Sequence, residues 1–196
     1  MGILILLATA IFPATSANAV TQTVISNAAY PVGLAEDSAG NIYIADENNR
    51  KLIVYPSQTG TLFGVSVTAG TAAVLLNDTN SFPRGIAING QDDLFLAMSD
   101  GNLKALTSTS KTLFGAATSA NTPTTLASGW GNGALEFDSA GNLYGIEHAN
   151  NYLQVLPASS GTLFGVNVTA NTRSVLMSHS GGVGSGTSLL TPQAMS

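Results

Sequence analysis

A Leu-Phe-Gly triplet stands at Leu62-Phe63-Gly64, at Leu113-Phe114-Gly115 and at Leu163-Phe164-Gly165. The three phenylalanines are 51 and then 50 residues apart. Two of the triplets continue alike, as Val65-Ser66-Val67-Thr68-Ala69-Gly70-Thr71 and Val166-Asn167-Val168-Thr169-Ala170-Asn171-Thr172. Self-similarity at a period of about 20–50 residues is the signature of solenoids and propellers, in which one supersecondary unit buries its faces against copies of itself. A chain built this way folds as a stack of equivalent units.

Each unit reads as short strands between turns. Pro31-Val32-Gly33-Leu34-Ala35 opens the first, Asp37-Ser38-Ala39-Gly40-Asn41 is a strong turn signal, and apolar strands follow over Ile42–Ala45 and Leu52–Tyr55. Pro56 ends the second of these, and an outer strand is expected near Thr71–Leu76. The second unit repeats this through Pro83–Ala87, Leu94–Ala97 and Leu103–Leu106, and the third through Gly133–Leu135, Leu143–Ile146 and Tyr152–Leu156. Strands apolar on both faces need cover on both. The expected fold is therefore all-β, a β-propeller of about three four-stranded blades plus the start of a fourth, an incomplete ring. The blades are expected over about residues 31–76, 83–127 and 133–176, with a fragment at 190–196. Ser178 to Thr187 reads as a flexible Ser/Gly insertion, and Gly181 to Thr187 is no phosphate-binding loop, since no Lys precedes the Thr.

Composition narrows the setting. Charged residues make up only 9% of the chain against about 25% in an ordinary soluble domain, so the surface is made of Ser, Thr, Asn and Gly. The net charge is −5, and the six Lys and Arg are scattered, which argues against nucleic acid as a partner. There is no cysteine, hence no disulfide and no thiolate chemistry. Residues 1–19 read as a signal peptide: an apolar run over Ile3–Phe12, a break at Pro13, and the small-x-small site Ala17-Asn18-Ala19. The run is too short to span a membrane, which takes about 20 residues. The expected location is secreted, extracellular or periplasmic. No Lys or Arg precedes the run, so the start is expected upstream unless the α-amino group supplies the positive charge. Asn77-Asp78-Thr79 and Asn167-Val168-Thr169 fit the N-glycosylation pattern.

The motifs Pro-x-Gly-[Leu/Ile]-Ala, Asp-x-x-Gly-Asn-[Ile/Leu]-Tyr and, in the first unit, Ile-Ala-Asp followed by Asn48-Asn49-Arg50 resemble the NHL-repeat family of β-propellers. Residues 31–56 carry the likeness best, and it extends over roughly 21–176. The second unit departs from it, with Asp92-Asp93 for Gly-Asn and Ser99 for the terminal Asp. Closed propellers have about 4–8 blades. Three and a fragment leave sheet edges and an apolar face open. The sequence is thus expected to continue past its C-terminus, or else to self-associate through open blade edges. Thr21–Ile25 matches the outer strand of the units and would latch a complete ring.

The resemblance specifies fold more than activity. It implies a ligand- or protein-binding scaffold module, its partner an unknown protein or small molecule, with no catalytic residue and no metal ligand assigned. Five residues are candidates for ligand binding: Asp46, Asn49 and Arg50 at a blade edge, Glu136, the one innermost carboxylate without a turn role, and His148. His148 is placed in the turn slot that Asp46 fills in the first unit, and Tyr152 in that of Arg50. Asp46 also reads as a turn-capping Asx residue that pairs with the Arg. Gluconolactonase-like propellers hold a divalent cation in their channel, which sets an alternative: a lactonase- or lyase-like hydrolase with Ca²⁺ near Glu36, Asp37, Glu136 and Asp138. A repetitive cell-surface structural protein is the third reading.

Overall fold

The computed structural model describes residues 28–178. The signal sequence, the strand expected at Thr21–Ile25, His179, the Gly-rich stretch and the opening at Pro192 lie outside the described residues. Within them every regular element is a strand. In the first unit β1 (Pro31–Glu36), β2 (Ile42–Asp46) and β3 (Lys51–Tyr55) form an antiparallel meander. A small hairpin, β4 (Gly60–Leu62) and β5 (Val65–Val67), intervenes before β6 (Ala73–Asn77) returns to pair with β3. The second unit repeats this with β7 (Pro83–Ile88), β8 (Leu94–Met98), β9 (Leu103–Leu106), the hairpin β10 (Lys111–Leu113) and β11 (Ala116–Thr118), and β12 (Thr124–Ala127). The third has β13 (Leu135–Phe137), β14 (Leu143–Glu147), β15 (Tyr152–Leu156), the hairpin β16 (Gly161–Leu163) and β17 (Val166–Val168), and β18 (Ser174–Ser178). The described chain is thus three four-stranded antiparallel sheets, one per unit, consistent with a propeller-like arrangement.

The four-stranded sheets are as expected, and each unit adds a separate two-stranded hairpin that the sequence reading does not anticipate. The repeated Phe-Gly is the turn of that hairpin, with φ of 46° and 79° at Phe63-Gly64, 47° and 78° at Phe114-Gly115, and 50° and 81° at Phe164-Gly165. Two positive φ values in a row make a type I′ turn, which normally recruits Asn-Gly. A phenylalanine there is strained. Its ring compensates by packing on the aromatic residue of the second strand: Phe63 on Tyr43, Phe114 on Phe95 and Phe164 on Tyr144, at centroid distances of 6.2, 6.1 and 6.3 Å. The hairpin thereby folds over its own sheet.

Successive units meet face to face. Tyr43, Leu52 and Val54 of the first sheet pack on Ile86, Leu94, Leu96 and Met98 of the second. The other side of the second sheet, with Phe95, Ala97 and Leu103, packs on Leu135 and Leu143 of the third. At the inner edge β1 lies against β7 and β7 against β13. The approach there is set by glycine. A Cβ on Gly33 would stand 2.4 Å from the Arg84 carbonyl oxygen, and one on Gly85 would stand 2.0 Å from that of Gly133.

The far side of the third sheet departs from this pattern. By strand register Ala134 stands in the place of Gly33 and Gly85, Glu136 in that of Ala35 and Ala87, and Ile146 in that of Ala45 and Ala97. Ile146 is 44% exposed where both alanines are fully buried, and Phe164 is 72% exposed. That face is apolar, but not shaped for the same close approach.

Candidate functional site

Two kinds of turn build the ends of the innermost strands. In the Asp-x-x-Gly-Asn turn the Asp37 carboxylate accepts from the backbone N–H groups of Ala39 (3.0 Å) and Asn41 (2.9 Å), from Asn41 Nδ2 (2.8 Å) and from the Tyr43 hydroxyl (2.8 Å). Asp138 repeats this with Ala140, Asn142 and Tyr144. Burial by itself would raise both carboxyls, but these bonds, led by the Asn side chain, outweigh it and hold both below the usual aspartate range. Burial, then the bond to Asp37, drives the Tyr43 hydroxyl far above its ordinary value.

The second unit makes the same turn with its partners exchanged. Asn89 accepts from the N–H groups of Gln91 and Asp93 and donates Nδ2 to the Asp93 carboxylate at 3.0 Å. The aromatic residue two positions on is Phe95, with no hydroxyl to place. Asp92 fills the left-handed position that Gly40 and Gly141 fill elsewhere, and its carboxylate bonds the Ser38 N–H (2.9 Å) and hydroxyl (2.6 Å) of the first unit. What looked like decay of the motif is a cross-unit tie.

The second turn contains three of the candidates, and the structure spends them on the fold. Asp46 is fully buried and accepts from the N–H groups of Ala29 (3.0 Å) and Tyr30 (2.9 Å) and from Asn49 Nδ2 (2.7 Å). Burial alone would raise its carboxyl, but these bonds, Tyr30 first, bring it below the usual range. Arg50 does not pair with Asp46; its guanidinium donates to the Thr79 carbonyl oxygen. The expected slot of His148 also needs a correction. Asp46 pairs with Lys51 and Glu147 with Tyr152, so Glu147 is the counterpart of Asp46, His148 that of Glu47, and Asn151 that of Arg50. Glu147 accepts from the N–H groups of Ala149 and Asn150, both at 2.8 Å. In the second unit Met98, fully buried, holds the register position, while the Ser99 hydroxyl accepts from the Phe82 N–H at 3.1 Å as Asp46 accepts from that of Tyr30. Glu136 pairs with Tyr144 on the outward side of the third sheet, away from the other candidates.

These carboxylates give an acid-sensitive fold. Asp37, Asp46 and Asp138 ionise more readily folded than unfolded, so they stabilise the native state above their ordinary value of 3.8 and lose that contribution as pH falls below it. The urea midpoint is expected to be level between about pH 7 and 5 and to fall steeply below about pH 4. Asp138→Asn should lower the neutral plateau and flatten the acid limb. An unchanged limb in that variant would contradict the assignment.

The side chains that converge are others. Where the inner edges of the three sheets meet there is a cleft of about 540 Å³, lined by Val32, Leu34, Ile86 and Leu135, by the backbone of Gly33, Gly85 and Gly133, and by Glu47, Arg84, Asn132 and His148. Arg84 Nη2 donates to Glu47 Oε1 at 2.7 Å, joining the first two units, and the guanidinium carbon lies 5.4 Å over the Phe82 ring. His148 comes from the third unit; its Nε2 is 3.0 Å from where a Cβ on Gly133 would sit. Of the five candidates the cleft includes His148 alone. Glu47, Arg84 and Asn132 were missed. The signal was the variable residue of Pro-x-Gly: Val32 and Arg84 at that position both line the cleft, as does Gly133, which stands there in the third unit.

Among the described residues no group of three His, Asp or Glu side chains is placed to hold a metal ion. Glu36, Asp37, Glu136 and Asp138 do not form one. Among the same residues no helix is long and apolar enough to cross a membrane. No protein-family model matches the chain, and no curated protein is similar to it in sequence.

Proposed function

We propose that the chain is an NHL-like propeller module, secreted, that binds a ligand in the cleft between its units and performs no chemistry on it. One observation carries this reading: three separate repeats each send a different polar side chain, Glu47, Arg84 and His148, into one cleft. The turns keep their bonds at Asp37, Asn89 and Asp138, while the cleft positions differ in every unit. Constant scaffold with variable convergent residues is how a repeat architecture makes a binding surface. The apolar leader with its Ala17-Asn18-Ala19 site supports export.

The hydrolase reading finds no donor set for its cation among the described residues.

The test is a ¹⁵N–¹H titration of the full chain against a broad panel of small polar compounds. Hits are expected to move the amides of Gly33, Gly85 and Gly133 together, since one ligand in the cleft touches all three units. A panel whose hits all map to the sheet edges or hairpins, or that yields none, overturns the reading.

A further inference from the structure

We infer that the cleft recognises a small organic carboxylate with an aliphatic tail, through Arg84 and His148. This rests on the binding reading above and names its ligand.

The cations of an acidic chain are few, and most are committed. Lys104 pairs with Asp78 at 3.0 Å and Lys111 with Asp93 at 2.8 Å. Arg50 is bound to the Thr79 carbonyl, and Arg173 Nη1 donates to Gln154 Oε1 at 2.9 Å. Arg84 is the one that lines the cleft. Its Nη2 is held by Glu47, and its Nε is buried without a partner. Nη1 makes no hydrogen bond among the described residues, and the side chain is 35% exposed. A guanidinium held at Nη2 by a carboxylate, and braced from below by the Phe82 ring, keeps Nη1 for another acceptor. The His148 imidazole on the neighbouring unit supplies a second nitrogen. The rest of the cleft offers a short hydrocarbon Val32 and Leu34 and the bare backbone of the three glycines, with Ile86 and Leu135 nearly buried behind them. Val32 is 41% and Leu34 66% exposed, so the open apolar surface of the cleft comes from the first unit. A carboxylate with an aliphatic tail satisfies both halves at once. Glu47 acts as a positioning residue: it orients Arg84 but repels the incoming anion.

Isovalerate and isovaleramide are matched probes, alike in shape and differing in charge. Titrated into the full chain at equal ionic strength, isovalerate is expected to bind at least about tenfold more tightly than its amide, the measure of a charge-assisted hydrogen bond. Arg84→Gln should abolish that preference, lowering the affinity for isovalerate much further than that for the amide. Glu47→Gln, which keeps the shape and removes the competing charge, should tighten isovalerate several-fold, an effect opposite to that of a merely structural loss. A tripeptide Ala-Ala-Val and its C-terminal amide distinguish the source. Preference for the free tripeptide over isovalerate assigns the site to chain termini, and the reverse assigns it to small acids. If the amides bind in the cleft as well as the acids, the carboxylate inference is overturned and the binding reading stands. If neither reaches the cleft while other compounds in the panel do, the inference is likewise overturned. If nothing reaches it, both fall.

Discussion

Gly85→Ala is expected to destabilise the fold by about 3 kcal/mol, the upper part of the usual range for an overpacked site. The cause is a collision between units, not a conformational demand of the glycine. A Cβ there would lie 2.0 Å from the Gly133 carbonyl oxygen and 3.2 Å from Ala97 Cβ, and the nearer atom is backbone, which cannot rotate aside. Relief requires β7 and β13 to move apart, which opens the second interface and spreads the cleft. Gly90→Ala is the control: nothing lies within 4 Å of its Cβ, and the change should stay within about 0.5 kcal/mol. Urea unfolding of the two variants reads the difference directly. Equal midpoints would mean that the second and third units do not approach as described.

Phe95→Ala should cost about 4 kcal/mol, in the range for removing a large buried ring. Phe95 is fully buried, and its ring meets Phe137 of the third unit at 4.9 Å and the hairpin ring of Phe114 at 6.1 Å. Phe114 in turn stacks on Phe137 at 6.5 Å. Truncation therefore empties the point where one sheet, its own hairpin and the next sheet come together, and three elements cannot all collapse into the space. The same substitution at Phe164, which is 72% exposed, removes little buried contact and should cost well under half as much. If the two variants unfold at the same urea concentration, the hairpin is not clamped between units in the way the ring distances imply.

The strands were legible because their signals are local. Apolar runs such as Leu103–Leu106 and Tyr152–Leu156, bounded by Asp, Asn and Gly, end where the structure ends them. The hairpins were not. Their strands are three residues long, too short to show alternation, and their turn places Phe where the rules expect Asn. Only the packing of that ring on Tyr43, Phe95 or Tyr144 accounts for it, and packing is not written locally. The site was least legible of all. Asp46 and Asn49 look like ligand groups because polar turn residues look alike whether they face a ligand or the backbone. His148 lies one residue out of the register that its likeness to Asp46 suggests, and is the counterpart of Glu47. Arg84 follows a proline in an ordinary opening motif. Its importance lies in which units stand beside it, a fact of assembly that no single repeat contains.

The central claim is that the units meet along their innermost strands and so build a site that none has alone. Nuclear Overhauser contacts between strands test it most directly. A Cβ on Gly33 would lie 3.1 Å from Ile86 Cγ2, so a cross-peak between the Gly33 Hα protons and that methyl is expected. If Gly33 shows contacts only within its own sheet, to Ala45 and its neighbours, the units do not share an inner edge and the cleft does not exist.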